Sequence, residues 1–507
     1  MKTKSLRNAL CAALANIVNI IIGFLAQRIF LQILNPEYLG LNGLFSNIIS
    51  MLAIFELGIG SAITFSLYKP LADDNKIKIK ELMSFYKKAY RIIALIVTMV
   101  SIGIALFLPH LIKEVTLDVN IYVVYFMFIA DVVCSYLLTY RRSILYADQK
   151  NYLINIVHIF YLIIMNVLQL IVLATTKNYY LYLGIKITMR IAENLIIHLL
   201  VHNQYPYLDD LNGVVLDKAT EKEIFKKIKA LLLHKIGGFI ILGSDNLIIS
   251  KFIGLIEVGL YSNYYLIINA VNQLIGQAIA ALTPTVGRKL ATTESEKSFD
   301  AFQKTRFAGF ILACMAATGF FVCIQPLVSI WLGEQYLFSS LTVAMLSINL
   351  FQKLQRYPYS TFKEAAGIYR EDRLIPLIES TINIFSSIVL LRIFGIAGVF
   401  MGTIISGFAL WFYSYPKYVY KKLFKRSYAM YAFETLWYIA IFLICLLATY
   451  FATSSIVCNS AIQQLVLNAL LSVIICPLII TIGLHRASSY SYFMDILKSI
   501  PKKFKRN

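Results

Sequence analysis

Long apolar stretches separated by short polar ones repeat along the entire chain. Read with a window of about 19 residues, runs of membrane-spanning length fall at 9–34, 42–67, 91–109, 119–140, 152–174, 179–201, 232–254, 261–285, 307–326, 336–355, 374–391, 395–416, 431–452 and 463–485. A helix needs about 20 apolar residues to cross the hydrocarbon layer. Strands of a membrane barrel instead show about ten residues of strict alternation, which these runs lack. The pattern predicts about fourteen transmembrane helices, an even number that brings both termini to one side.

Composition supports an all-α polytopic membrane protein: 59% of the 507 residues are hydrophobic and 15% charged, against about 25% charged in a soluble chain. Little is left for a water-soluble catalytic domain. The opening MKTKSLR and the apolar stretch behind it resemble a secretory leader, and Ala13-Leu14-Ala15 offers a cleavage-like site. The apolar stretch before that site is too short and continues well past it, so it reads as an uncleaved first span.

A net charge of +20 would point to nucleic acid in a soluble protein, so its placement decides its meaning. Assigned alternately, the loops on the side of the N-terminus collect 40 of the 47 basic residues and 16 of the 27 acidic ones. Cytoplasmic loops are rich in Lys and Arg, so both termini are expected in the cytoplasm. Lys421, Lys422, Lys425, Arg426 and the tail PKKFKRN should meet anionic lipid headgroups. The charge is thus topogenic, and no nucleic-acid partner is expected.

The longest loop, 202–231, is polar, helix-capable and amphipathic near Ile224 to Ile228. It divides the chain into a six-helix bundle at 1–201, a linker, a second bundle at 232–416, helices 13 and 14 at 427–485 and a basic tail at 486–507. An internal repeat supports two halves: Gly43 to Asn47 reads GLFSN, Gly259 to Asn263 reads GLYSN, and each copy opens the second helix of its half.

Ionisable side chains in a bilayer are costly and tend to face a cavity or a partner. In the sixth span, Lys186, Arg190 and Glu193 fall within roughly a 60° wedge of one helix face. Asn155, His158, Asn166 and Gln169 stack in the fifth span; Asn269, Asn272, Gln273 and Gln277 gather in the eighth; Glu379 and Asn383 begin a stripe in the eleventh. Single charges are Arg28, Glu56, Asp131, Asp245 and Lys251. One wet face on several helices implies a central water-filled cavity. Arg28 and Lys251 lie within reach of the outer boundary, where snorkelling explains them equally well. Lys186, Arg190 and Glu193 read either as a buried ion network or as substrate ligands. Asp245, near mid-span, points to function.

Catalytic patterns are missing. The seven cysteines form no CxxC or Cys/His cluster. His198 and His202 have ligand spacing without the carboxylate of HExxH, so neither a metal nor a cofactor is expected. No phosphate-binding glycine loop or GxSxG appears, which disfavours an enzyme and an ATP-driven pump.

Four stretches carry a family resemblance: LNPEYLGLNGLFSNIISMLAIFELGIGSAI (34–63), SLYKPLADD (66–74), YRRSILYADQKNY (140–152) and SDNLIISKFIGLIEVGLYSNY (244–264). Together they resemble the polysaccharide flippases of the multidrug/oligosaccharidyl-lipid/polysaccharide exporter superfamily. The resemblance implies two six-helix bundles related by a pseudo-twofold axis, plus two C-terminal helices. It also implies that undecaprenyl-diphosphate-linked oligosaccharide moves from the inner to the outer leaflet of a bacterial cytoplasmic membrane, for polymerisation or attachment outside. A polymerase and glycosyltransferases would be partners of a monomer.

On this reading the substrate-binding candidates are Arg28, Lys186, Arg190, Glu193, Asn155, Asn166, Gln169, Asn269 and Gln273; Asp245, Asp131 and Glu56 are candidates for coupling H⁺ or Na⁺. Three alternatives stay open. A drug/cation antiporter would share the fold. A membrane polymerase would be expected to carry a large arginine-bearing outer loop, whereas the outer loops here have about a dozen residues or fewer. A scaffold would use its polar stripes as interhelical glue.

Overall fold

The computed structural model describes residues 2–56, 59–113, 116–211, 213–292, 295–368 and 374–494, and among them no strand occurs. Two compact units divide the chain, Met1–Ser262 and Asn263–Asn507.

The first unit begins with α1 (Lys2–Ile33) and α2 (Pro36–Leu52). α2 starts where Asn35 Oδ1 accepts the backbone N–H of Glu37 and Tyr38 at 3.1 and 3.3 Å, with Pro36 supplying a pre-set first turn. The expected second span is broken: α2 tightens into a turn at Ala53–Glu56 and resumes as α3 (Ile59–Ala72). There follow α4 (Lys76–Ala105), the single turn α5 (Leu108–Leu111), α6 (Ile121–Ala147), α7 (Asn151–Thr176), α8 (Tyr179–Gln204), α9 (Lys218–Phe252) and α10 (Leu255–Ala280), which runs into the second unit. Asn75, Asn120, Asn178 and Asp217 cap α4, α6, α8 and α9.

The second unit continues with α11 (Thr283–Thr292), α12 (Ser295–Trp331), α13 (Ser340–Leu354), α14 (Arg356–Ala365), α15 (Ile375–Phe394) and α16 (Ile396–Ala409). α16 widens into looser turns over Leu410–Leu423, before α17 (Tyr428–Ser454) and α18 (Ala461–Leu484). α15 reverses into α16 at Gly395, whose φ of +59° favours a residue without Cβ.

Every predicted span has a helix, and eleven helices are long and apolar enough to cross a membrane among the described residues. The sixth run, in α8, carries three charges; the tenth, α13, has only 15 residues. The seventh lies in α9, whose side chains over 229–242 are outside the described ones, as is the tail over 495–507. α18 displays the inside-out logic of a bilayer protein. Ile462, Val466, Leu470, Ile474, Leu478 and Ile482 are exposed, while Asn468, Ser472 and Cys476 are buried. Lipid imposes no cost on the apolar face, so small and polar residues make the helix contact: Asn468 Nδ2 donates to the Val322 carbonyl at 2.6 Å.

The expected linker is mostly helix, since α9 already starts after Asp217 and buries Ile224 and Ile228. Its remainder is pinned to the start of α4. Ser84 Oγ donates to the Val214 carbonyl at 2.7 Å, and Lys78 beside Asp217 holds that carboxyl below the usual carboxylate range. α9 packs along α2 and α3, which places the first unit's boundary beyond the expected linker.

Within the first unit the opening turns of α2 and α10 touch backbone to backbone. A Cβ on Gly40 would lie 1.9 Å from the Leu255 carbonyl oxygen. Gly40→Ala is therefore expected to lower stability by about 1–3 kcal/mol through overpacking. Gly103→Ala in α4, with nothing within 4 Å, should be neutral or stabilising by up to about 1 kcal/mol. Thermal unfolding of the two purified variants checks the contrast.

Candidate functional site

α6 supplies the main wall of a cavity of about 690 Å³ lying wholly inside the first unit. Asp131, Ser135, Thr139, Arg142 and Tyr146 all line it, and at 100° per residue they share roughly an 80° arc of the helix. The opposite wall comes from the broken second span, with Glu56 at the break and Gly60, Thr64, Phe65 and Tyr68 on α3; Tyr90 of α4, Asn151 of α7 and Arg190 of α8 complete the lining. The break is held by tyrosines: Tyr86 OH donates to the Gly60 carbonyl at 2.8 Å, and Tyr90 OH to Glu56 Oε1 at 2.8 Å.

One ion network forms the cationic end. Glu193 has a side chain with 0% exposure and is met on three sides: by Arg190 Nη1 at 2.8 Å, Arg142 Nη2 at 3.1 Å and His158 Nδ1 at 2.9 Å. Asp131 takes Arg190 Nε at 3.2 Å and Lys186 Nζ at 3.3 Å. Asn194 fixes the second arginine, since its Oδ1 accepts from Arg142 Nη2 at 2.8 Å while its Nδ2 donates to the Cys134 carbonyl at 2.9 Å. Arg190 also lies 4.7 Å over the Tyr161 ring, against which His158 stacks. Lys186, Arg190 and Arg142 outnumber Asp131 and Glu193 by one charge; of these five, Arg142, Arg190 and Asp131 line the cavity, where Glu56 is the other charged side chain. The arrangement can hold an anion beside a wall of hydroxyl and aromatic groups.

The predicted residues divide accordingly. Arg190, Asp131 and Glu56 line the cavity, and Lys186 and Glu193 stand behind it as ion partners. Gln169 ties two helices, donating to the Tyr182 carbonyl at 2.9 Å, and Asn166 donates to its own helix at Leu162. Asn155 is half-buried outside the lining, and Arg28 is exposed on α1. Asp245 is buried in α9 away from the lining, while Asn269 and Gln273 are half-buried on the part of α10 in the second unit. Sequence reading passed over Arg142, Tyr90, Tyr136 and Asn194. Arg142 sits two residues beyond the apolar run ending at 140, yet α6 continues to Ala147. Its spacing of eleven from Asp131 was the signal that could have found it.

A family model described as polysaccharide biosynthesis protein matches residues 5–289, a range that contains every residue lining this cavity. No curated protein matches the chain. Among solved structures, the lipid II flippase MurJ in an inward closed conformation is similar with a TM-score of 0.66 at 14% identity, over 96% of this chain and 99% of that one. An inward-facing multidrug resistance MATE family transporter of the MOP superfamily gives 0.60 at 12%, over 77% and 91%. The Vibrio cholerae MATE transporter VcmN, as a mutant, gives 0.55 at 14%, over 81% and 97%. At these identities the likeness is one of fold.

Proposed function

The chain belongs to the polysaccharide biosynthesis protein family, and from that premise we propose that it flips undecaprenyl-diphosphate-linked oligosaccharide from the inner to the outer leaflet by alternating access. The observation that carries this reading is the pairing of Arg142 and Arg190 in a cavity whose lining also holds hydroxyl, amide and aromatic side chains and two carboxylates, Asp131 bridged to Arg190 and Glu56 held by Tyr90. A diphosphate needs charge-assisted donors, and a sugar needs hydroxyl partners and flat apolar faces, neither of which lipid provides.

Electrostatics favours an anionic cargo over a cationic drug. Asp131 and Glu193 are already bridged by Lys186, Arg190 and Arg142, which leaves Glu56, held by the Tyr90 hydroxyl, as the one carboxylate on the wall without a cation beside it among the described residues. An inside-negative potential adds outward drive of about 2.3 kcal/mol per charge per 100 mV, or about 4.6 for a net charge of −2. For coupling to H⁺ or Na⁺, Asp131 is committed to two cations, whereas Glu56 meets the Tyr90 hydroxyl, which can follow either protonation state. Within the cavity we therefore assign any coupling to Glu56, and Asp245 remains the candidate in α9.

The test is flipping of a fluorescent diphosphate-linked oligosaccharide by the reconstituted protein. Arg142→Gln and Arg190→Gln should each slow it by about tenfold or more, the loss expected for a hydrogen bond to a charged group, at unchanged protein abundance. In cells, lipid-linked oligosaccharide should accumulate in the inner leaflet. Wild-type flipping by both variants would reject the assignment.

A further inference from the structure

A second cavity, of about 520 Å³, lies wholly within the unit Asn263–Asn507. It sits where three apolar helices end: the first turns of α12 (Glu296, Asp300), the first turns of α17 (Met430, Phe433) and the last turn of α18 (Gly483, Leu484). The chain beyond α18 closes the fourth side with Arg486, Ser488 and Ser489, then folds back onto α12. Tyr490 OH donates to Thr481 Oγ1 of α18 at 3.2 Å, and against α12 the Phe493 and Phe307 rings lie 6.0 Å apart and Lys304 Nζ lies 4.3 Å over Tyr492. The site is thus built by four chain segments.

Three carboxyl groups line it, and one of them, Glu434, is tied to Arg306. Glu296 is bridged by Arg426 at 2.5 Å and Asp300 by Lys304 at 2.6 Å, yet their side chains stay 76% and 49% exposed. Those cations leave much of both carboxylates open to the cavity. Arg486 is exposed, lines the same cavity and has no carboxylate partner among the described residues. Between the two lies an aromatic wall: Trp437, 46% exposed, donates its indole N–H to the Gly483 carbonyl at 3.2 Å, and Phe433 is exposed beside it. Amphipathic rings at the ends of apolar helices sit at headgroup level in a membrane. The neighbouring faces of α17 and α18 expose Leu436, Leu478 and Ile482, a surface suited to acyl chains.

We propose that this cavity binds one phospholipid whose headgroup carries both a phosphate and a primary ammonium. The phosphate is held by Arg486 with the Ser488 hydroxyl, and the ammonium by Glu296 and Asp300. A headgroup with only negative charge would face the carboxyl groups of Glu296, Asp300 and Glu434. A quaternary ammonium could rest on Trp437 but has no N–H to give them. The site is separate from the arginine cavity of the first unit and stands whether or not that cavity carries lipid-linked sugar.

The test uses the full chain, purified and placed in nanodiscs containing phosphatidylethanolamine, phosphatidylglycerol and phosphatidylcholine in equal amounts, with retained lipid counted by native mass spectrometry. One phosphatidylethanolamine per chain should be retained, favoured about tenfold over each of the others, as one charged hydrogen bond provides. Arg486→Gln should abolish retention of all three, whereas Glu296→Gln with Asp300→Asn should remove only the preference. Equal retention of the three lipids, or phosphatidylethanolamine retention unchanged in Arg486→Gln, overturns the proposal. Displacement of the lipid by free phosphoethanolamine at matched concentration would assign the site to a soluble phosphomonoester and overturn the lipid. Independently of any variant, brominated phosphatidylethanolamine should quench Trp437, the one exposed indole beside buried Trp331 and Trp411; equal quenching by brominated phosphatidylglycerol would also count against it.

Discussion

Replacing Glu193 by alanine is expected to destabilise the protein by about 3–5 kcal/mol, because removing one partner of a buried ion pair leaves the others uncompensated. Here the vacancy would face Arg142, Arg190 and His158 together. Arg142, Arg190 and Lys186 would then be left with one carboxylate in the network, Asp131, which touches only Arg190 and Lys186, and the two arginines would lose the anchor that aims them. Flipping should fall below detection in proteoliposomes, and the melting temperature should drop. Glu193→Gln can still accept from an arginine or from His158, so it should retain the fold better than alanine while losing most transport. A variant with wild-type melting and wild-type flipping would remove the ion network from both roles.

Arg306→Ala should cost a similar amount, about 3–5 kcal/mol, with a different signature. Arg306 is 1% exposed. Its Nη1 pairs with Glu434 and donates to Tyr420 OH at 2.6 Å, its Nη2 donates to Thr435 Oγ1 at 3.1 Å, and its guanidinium lies 4.7 Å over Tyr438. Gln303 adds a bond to Glu434 at 2.9 Å. These contacts fasten α17 to α12, so the variant should expose α17 to protease while the first unit stays resistant. An apolar pair can replace a buried ion pair at little cost, so Arg306→Met combined with Glu434→Leu should recover most of the stability. Limited proteolysis and thermal unfolding of the single and double variants separate loss of the lock from loss of the charge.

Arg306 and Arg142 show where linear reading stopped. Both lie just outside an apolar run, where a hydropathy window ends and a basic residue counts as topogenic. In the structure both helices run on through that boundary, which turns Arg142 into the cavity and Arg306 into the interior. The sixth-span wedge was legible because its charges stand inside an apolar run. That run could not say what the wedge would face, and the answer, Asp131 and Arg142 of α6, required the packing of α6 on α8.

The sequence by itself determined the all-helical membrane class, the places of the helices and the stripe of Lys186, Arg190 and Glu193, because lipid forces each spanning segment to satisfy its own backbone, which period and length record directly. Which polar residues come to line one cavity was left to the packing of the helices. A side chain's partner is set by which helices touch and how each is rotated, and those contacts join residues as far apart in the chain as Glu56, Arg142 and Arg190. Packing also decided that Glu193 is an anchor, Gln169 a tie between helices and Arg142 a cavity cation, since the same residue type on the same helical period can serve any of these roles.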